Sequence, residues 1–165
     1  MKRTGVIIVF AAWVALGLSA PTQADIIFET TSGKGLTPNG TAFTNSLYEG
    51  YVALSDDRVA ATDLVDAEHF NLKARRAGQR SDVLPDEVSE RKLRDEDAAE
   101  LSAALNRLRR AFERGGRSRA PVKAAEAQVS YDCWIEAAEG ANPAVGFSSA
   151  AAARVDDVAR CKAAF

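Results

Sequence analysis

Few residues of this 165-residue chain have types that could carry chemistry: one histidine, two cysteines and a group of arginines. His69 has Asp66 and Glu68 beside it. A catalytic or metal role needs convergent partners, and one imidazole without a nucleophile motif supplies too few. On a helix Glu68 and His69 point apart, whereas Asp66, three residues earlier, can touch the ring. His69 therefore reads as a surface or edge histidine. Adding Cys133 and Cys161 to it gives three zinc ligands, but no fourth, and no closely spaced ligand pair. Gly33, Gly35 and Gly40 do not follow a strand and open a helix, so they form no phosphate loop. No serine stands in a Gly-x-Ser-x-Gly context. The expectation is a non-enzymatic protein with no catalytic residue, metal or cofactor.

The arginines are the better surface feature. Arg107, Arg110, Arg114 and Arg117 advance by three, four and three residues, away from the Leu101/Leu105/Leu108 stripe. If one helix carries all four, they make a basic strip about 15 Å long, at 1.5 Å per residue. Such a strip suits an anionic envelope partner, either a phosphate-bearing lipid head or an acidic protein. The plainer alternative is a solvated helix end, whose arginines answer the helix dipole and pair with Glu113 and other carboxylates. Nucleic acid is not expected, because the formal net charge is −2 and nucleic-acid binders carry a basic field.

The start of the chain sets the compartment. Lys2 and Arg3 form a positive n-region, Val6–Leu18 an apolar stretch, and small residues up to Ala24 a cleavage site. Residues 1–24 read as a signal peptide, with Ala20 as the second choice of cut. The competing transmembrane anchor needs roughly 20 apolar residues, and this run is shorter. No cysteine follows it to take a lipid. A periplasmic location is expected, and there two cysteines read as a disulfide, Cys133 to Cys161, rather than a metal or redox pair. Two free buried thiols are the rival.

The elements follow from periodicity. Residues 25–40, rich in glycine, read as a flexible arm, and 41–165 as a single α-helical domain. Thr41 caps a helix with the stripe Phe43, Leu47, Tyr51 and Leu54, and Asp56 to Arg58 mark its wet end. Asp63 caps the next, with Ala67, Phe70, Ala74 and Ala77 ending at Gly78. A polar connector follows, with Val83, Leu84 and Leu93 as contacts to the core. Asp95 to Asp97 open a third helix, which Gly115-Gly116 ends. Pro121 begins a fourth, apolar on two faces: Val122, Ala125, Val129 and Cys133 on one, and Ala124, Ala127, Tyr131, Trp134 and Ala138 on the other. That helix must be central. A last helix buries Val155, Val158, Cys161 and Phe165. The fold class is all-α, an antiparallel bundle of about five helices. A non-enzymatic scaffold or interaction domain is the first functional expectation. A small-ligand or lipid carrier with its pocket inside the bundle is the second.

Phe43–Leu54 (FTNSLYEGYVAL), Asp66-Ala67-Glu68-His69-Phe70 with Lys73-Ala74, Leu84-Pro85, Glu100-Leu101 and Arg107-Leu108 also form a sequence signature. It continues through Ala124–Gln128 and Tyr131-Asp132-Cys133-Trp134 to Ala159-Arg160-Cys161 and Phe165. In this order they resemble the helical region ahead of the peptidoglycan-binding module in bacterial OmpA-family envelope proteins. The resemblance implies an envelope location and a helical fold. Neither that module's aspartate and arginine nor the family's lipid-attachment cysteine has a counterpart here, so peptidoglycan binding and a lipid anchor are not expected.

Overall fold

The computed structural model describes residues 27–145 and 148–165; the expected signal peptide lies outside them. Among the described residues there is no strand, and five substantial helices form the bundle. These are α1 (Ala42–Ala60), α2 (Leu64–Gly78), α3 (Asp95–Glu113), α5 (Pro121–Ala141) and α6 (Ser148–Ala164). The short α4 (Gly116–Arg119) and a three-ten turn at Val88–Glu90 lie between them.

Helix α1 starts where a hydroxyl can satisfy its free amides: the Thr44 N–H donates to Thr41 Oγ1 at 3.2 Å. Its stripe of Phe43, Leu47, Tyr51 and Leu54 is buried. Asp63 caps α2 through the Asp66 N–H at 3.3 Å, and the small Ala67, Ala74 and Ala77 are all buried. Small side chains let α1 approach closely enough for Ser55 Oγ to donate to the Ala67 carbonyl at 2.9 Å. Gly78 does not make the terminal turn expected of it, since the positive φ falls on Arg80, at 61°. Close approach is its role: an added Cβ would stand 2.9 Å from Leu36 and 3.1 Å from Tyr48.

The segment expected as a flexible arm is irregular but tied to α2. Asn71 accepts from the Gly33 N–H at 2.8 Å and donates to the Glu29 carbonyl at 2.8 Å. A side chain at Gly33 would collide with the Asn71 carbonyl, 2.4 Å away. Backbone groups that leave a helix and remain buried need partners, and the fully buried Asn71 supplies them.

Helix α5 is the hub. Every residue from Tyr131 to Ala138 is buried, and α1, α3, α4 and α6 all pack on this helix. Two contacts expected of the last two helices fail. Val122 is exposed, because it lies in the first turn, ahead of the enclosed part of α5. Val155 is also exposed, and Arg154 takes its place on the inner face of α6. Arg154, Val158, Cys161 and Phe165 then form the inward stripe, with Phe165 about 6 Å from the rings of Tyr131 and Trp134. The sulfurs of Cys133 and Cys161 stand at bonding distance, with Cα atoms 5.7 Å apart, within the disulfide range.

Candidate functional site

Among the described residues, charged side chains gather into two groups inside the bundle and one at its end. The first interior group grows from a polar stripe on α5, Gln128, Asp132 and Glu136, spaced by four residues and all buried. Asp132 accepts from Tyr51 Oη at 2.5 Å, Lys73 Nζ at 2.6 Å and the Asp86 N–H at 2.8 Å. Gln128 donates to Tyr51 Oη at 3.0 Å and to the Val83 carbonyl at 2.8 Å. Lys73 also donates to Asp86. The remaining partners of Asp86 are His69 Nε2 and Arg91, each at 2.9 Å.

These surroundings drive the two aspartates apart. Burial raises Asp132 above its ordinary range, and the Asp86 charge adds to this against the Lys73 ammonium. Burial also pushes Asp86 upward, but the hydrogen bond from His69 and the Lys73 charge outweigh it and hold Asp86 well below the usual carboxylate range. Burial, then the Asp132 charge, push the Tyr51 phenol well above 10. A folded-state pKa below the unfolded value means that Asp86 contributes stability above the unfolded value of about 4 and loses it as pH falls toward the folded one. Asp86→Asn should therefore be less stable than the parent at pH 7, by on the order of 2 kcal/mol for lost charged hydrogen bonds. The gap should shrink between pH 5 and pH 3. Urea midpoints of both proteins at those three values test this, and a gap independent of pH would show that the Asp86 charge does not stabilise the fold.

The second group joins α6 to the α1–α2 corner. Arg154 donates to Glu136 and to Asp63. Arg58 lies 3.1 Å from Asp157 and 3.4 Å from Glu136. Arg91 lies 3.2 Å from Asp66 and 3.0 Å from Glu139. Arg58, expected at a wet helix end, is only 3% exposed, because these carboxylates close over it. Burial and the nearby Asp66 charge push Glu136 well above the ordinary range. The carboxylate oxygens of Asp63, Asp66 and Glu136 lie within 4.8 Å of one another. That spacing suits a cation, but a guanidinium already faces each carboxylate, so the group acts as an ion-paired joint.

The third is the basic end, where α3, α4 and the start of α5 meet. From Arg107 to Lys123 the chain holds seven cations and one acid, Glu113, within a protein of net charge −2. The strip of four arginines is not continuous. Helix α3 stops at Glu113, and Gly115 turns the chain with φ at 82°, a conformation glycine adopts without strain. Arg117 thus leaves the line and folds back, its guanidinium 4.4 Å from the Phe112 ring centre and 5.0 Å from that of Phe43. Arg107 lies over Phe165 at 5.2 Å. Arg110 and Arg114 remain exposed, in no ion pair among the described residues. Beside them a groove of about 340 Å³ is lined by Leu84, Pro85, Arg109, Phe112, Glu113 and Arg117. Leu84, expected to point into the core, is 61% exposed on its rim.

A second groove, of about 260 Å³, lies over His69, Asp86 and Arg91. Both grooves open to solvent, unlike the interior pocket a carrier would need. Asp66, the expected partner of His69, is held instead by Arg91, and Asp86 reaches the imidazole from the connector. Cys133 and Cys161 pair with each other, leaving no zinc set with His69. Single-residue chemistry does not mark Lys73, Asp86, Arg91 or Asp132 as interior groups. One signal does exist: a polar stripe on a helix flanked by two apolar faces must itself be enclosed. No family model matches the chain, and no curated protein or solved structure is significantly similar to it.

Proposed function

We propose that this chain is an exported, non-enzymatic interaction domain of the bacterial cell envelope. Its basic end docks onto the phosphate-bearing heads of anionic lipids. The observation that carries the reading is charge segregation: one end of an acidic protein presents Arg110 and Arg114 without carboxylate partners among the described residues. Lipid heads fit better than an acidic protein because exposed Leu84 lines a groove with Arg109 and Arg117, and exposed Val122 follows the arginines of α4 in the chain. Cations beside exposed apolar side chains match the boundary between lipid heads and acyl chains.

The signal-type start, the resemblance to the helical region of OmpA-family proteins, and cysteines at bonding distance all favour the periplasm. Disulfides persist in oxidising compartments. No helix among the described residues is long and apolar enough to cross a membrane, so association would be peripheral.

Co-sedimentation of the oxidised chain with phosphatidylglycerol vesicles, and with neutral phosphatidylcholine vesicles, tests the reading. Each basic residue near an anionic surface is worth about 1 kcal/mol. Arg110→Glu with Arg114→Glu should therefore weaken association at least about tenfold, and raising the salt should weaken the parent. Equal sedimentation of parent and double variant would overturn the proposal.

A further inference from the structure

We infer that the groove between the connector and the end of α3 binds a single-chain anionic amphiphile. Its acyl chain would lie on Leu84 and Phe112, and its phosphate head on Arg117. The inference rests on the docking reading above and narrows it from a charged surface to one ligand-sized site.

Leu84 is the first reason. An exposed leucine on a loose loop means little, but this one is held outward by its neighbours. The Val83 carbonyl accepts from buried Gln128 at 2.8 Å, and the Asp86 N–H donates to buried Asp132 at 2.8 Å. Val83 and Pro85 on either side are buried. With the backbone fixed two residues beyond Leu84 and one before it, the side chain is held at the groove rim, and a ligand need not order this stretch of backbone.

Arg117 is the second. Its guanidinium is held against two rings, 4.4 Å from the centre of Phe112 and 5.0 Å from that of Phe43. Its Nε–H is buried without an acceptor. Its one carboxylate contact among the described residues, Asp82, is 3.5 Å away with a side chain 75% exposed, an interaction that an arriving oxyanion can replace. A planar guanidinium held at one edge of an apolar surface suits bidentate recognition of phosphate. Arg109 is engaged by Glu87, and Glu113 also borders the groove, which places the head at Arg117. The volume of about 340 Å³ lies at the small end of ligand sites and fits one chain rather than a two-chain lipid.

Calorimetric titration of the oxidised chain with decyl phosphate, kept below its micelle concentration, tests the site. Octyl phosphate, inorganic phosphate and decanol serve as controls. Each methylene that becomes buried is worth about fourfold in affinity, so the octyl compound should bind up to about fifteenfold more weakly. Phosphate and decanol should each bind far more weakly than decyl phosphate. Arg117→Gln and, separately, Leu84→Ser should each weaken binding about tenfold. Leu84→Ser removes an exposed side chain and leaves the fold intact, so it decides the matter if Arg117→Gln loosens the Phe43–Phe112 packing.

Arg110→Glu with Arg114→Glu should leave decyl phosphate binding within about threefold while vesicle association falls. Wild-type affinity in Leu84→Ser, or equal affinity for inorganic phosphate and decyl phosphate, overturns the inference. If vesicle association still depends on Arg110 and Arg114, the docking function then stands without the groove. Displacement of the amphiphile by a tighter-binding acidic peptide also overturns it, in favour of a protein partner.

Discussion

Asp132→Ala should lower stability by roughly 3–5 kcal/mol, the cost of breaking a buried ion pair from one side. The corresponding fall in melting temperature is roughly 10–20 °C for a domain of this size. The loss is large because three donors converge on Asp132: the Tyr51 hydroxyl, the Lys73 ammonium and the Asp86 N–H. Alanine leaves all three inside the protein, where water cannot replace the carboxylate. Lys73 suffers most, being 6% exposed and left with Asp86 as its only carboxylate among the described residues. If an uncompensated charge is the cause, removing the partner charge should recover part of the loss. Asp132→Leu combined with Lys73→Met should then be less destabilised than the sum of the single changes, because an apolar replacement of a whole ion pair is often close to neutral. Thermal melts of the two singles and the double supply this comparison. Strict additivity would mean that the two charges do not depend on each other, which would refute the arrangement described here.

The second large effect is expected at Cys133. Joining residues 28 apart in sequence removes loop-closure entropy from the unfolded chain, worth about 3.5 kcal/mol in the chain-entropy model. Cys133→Ser should therefore melt roughly 10 °C lower and release one titratable thiol at Cys161. The damage should centre on α6. Besides the cysteine, this helix is held by Phe165 against Tyr131 and Trp134, and by Arg154 and Asp157 in the joint with Glu136 and Arg58. Releasing α6 opens that joint, so amide exchange should rise first around Arg58 and Glu136 and only later in the α1–α2 hairpin. Two free thiols in the denatured, unreduced parent would disprove the bridge. Uniform exchange across all helices in the variant would show that the bridge steadies the whole bundle rather than α6.

The two effects have different origins in the chain. The disulfide is legible from two cysteines and a start of signal-peptide type, which sets the expectation of an oxidising compartment. The importance of Asp132 is not. Beside Tyr131, Cys133 and Trp134 it reads as a polar residue with an unspecified neighbour. The clue was the four-residue spacing from Gln128 to Asp132 to Glu136, on a helix whose flanking faces are both apolar. His69 shows the same limit, because Asp66 is near in sequence while Asp86, its actual partner, arrives from the connector. Arg117 departs from the expected strip for a different reason. The spacing of the four arginines is regular, but the strip needs an unbroken helix, and Gly115-Gly116 breaks it.

Five helices, the N-caps Thr41 and Asp63, the apolar stripes of α1, α2 and α3, the central place of α5 and the pairing of the cysteines are all legible from the amino-acid order. Each depends on the helical period, on capping chemistry within a few residues, or on counting cysteines, and all of these are written locally. Only the tertiary structure decided that Lys73, Asp86, Asp132, Arg58 and Glu136 lie inside, that Leu84 and Val155 lie outside, and that Arg117 closes over two rings. The physical reason is that a polar side chain can be enclosed only where another segment brings it a counter-charge or hydrogen-bond partner. For Asp132 those segments lie 46, 59 and 81 residues away, beyond the reach of any helical period.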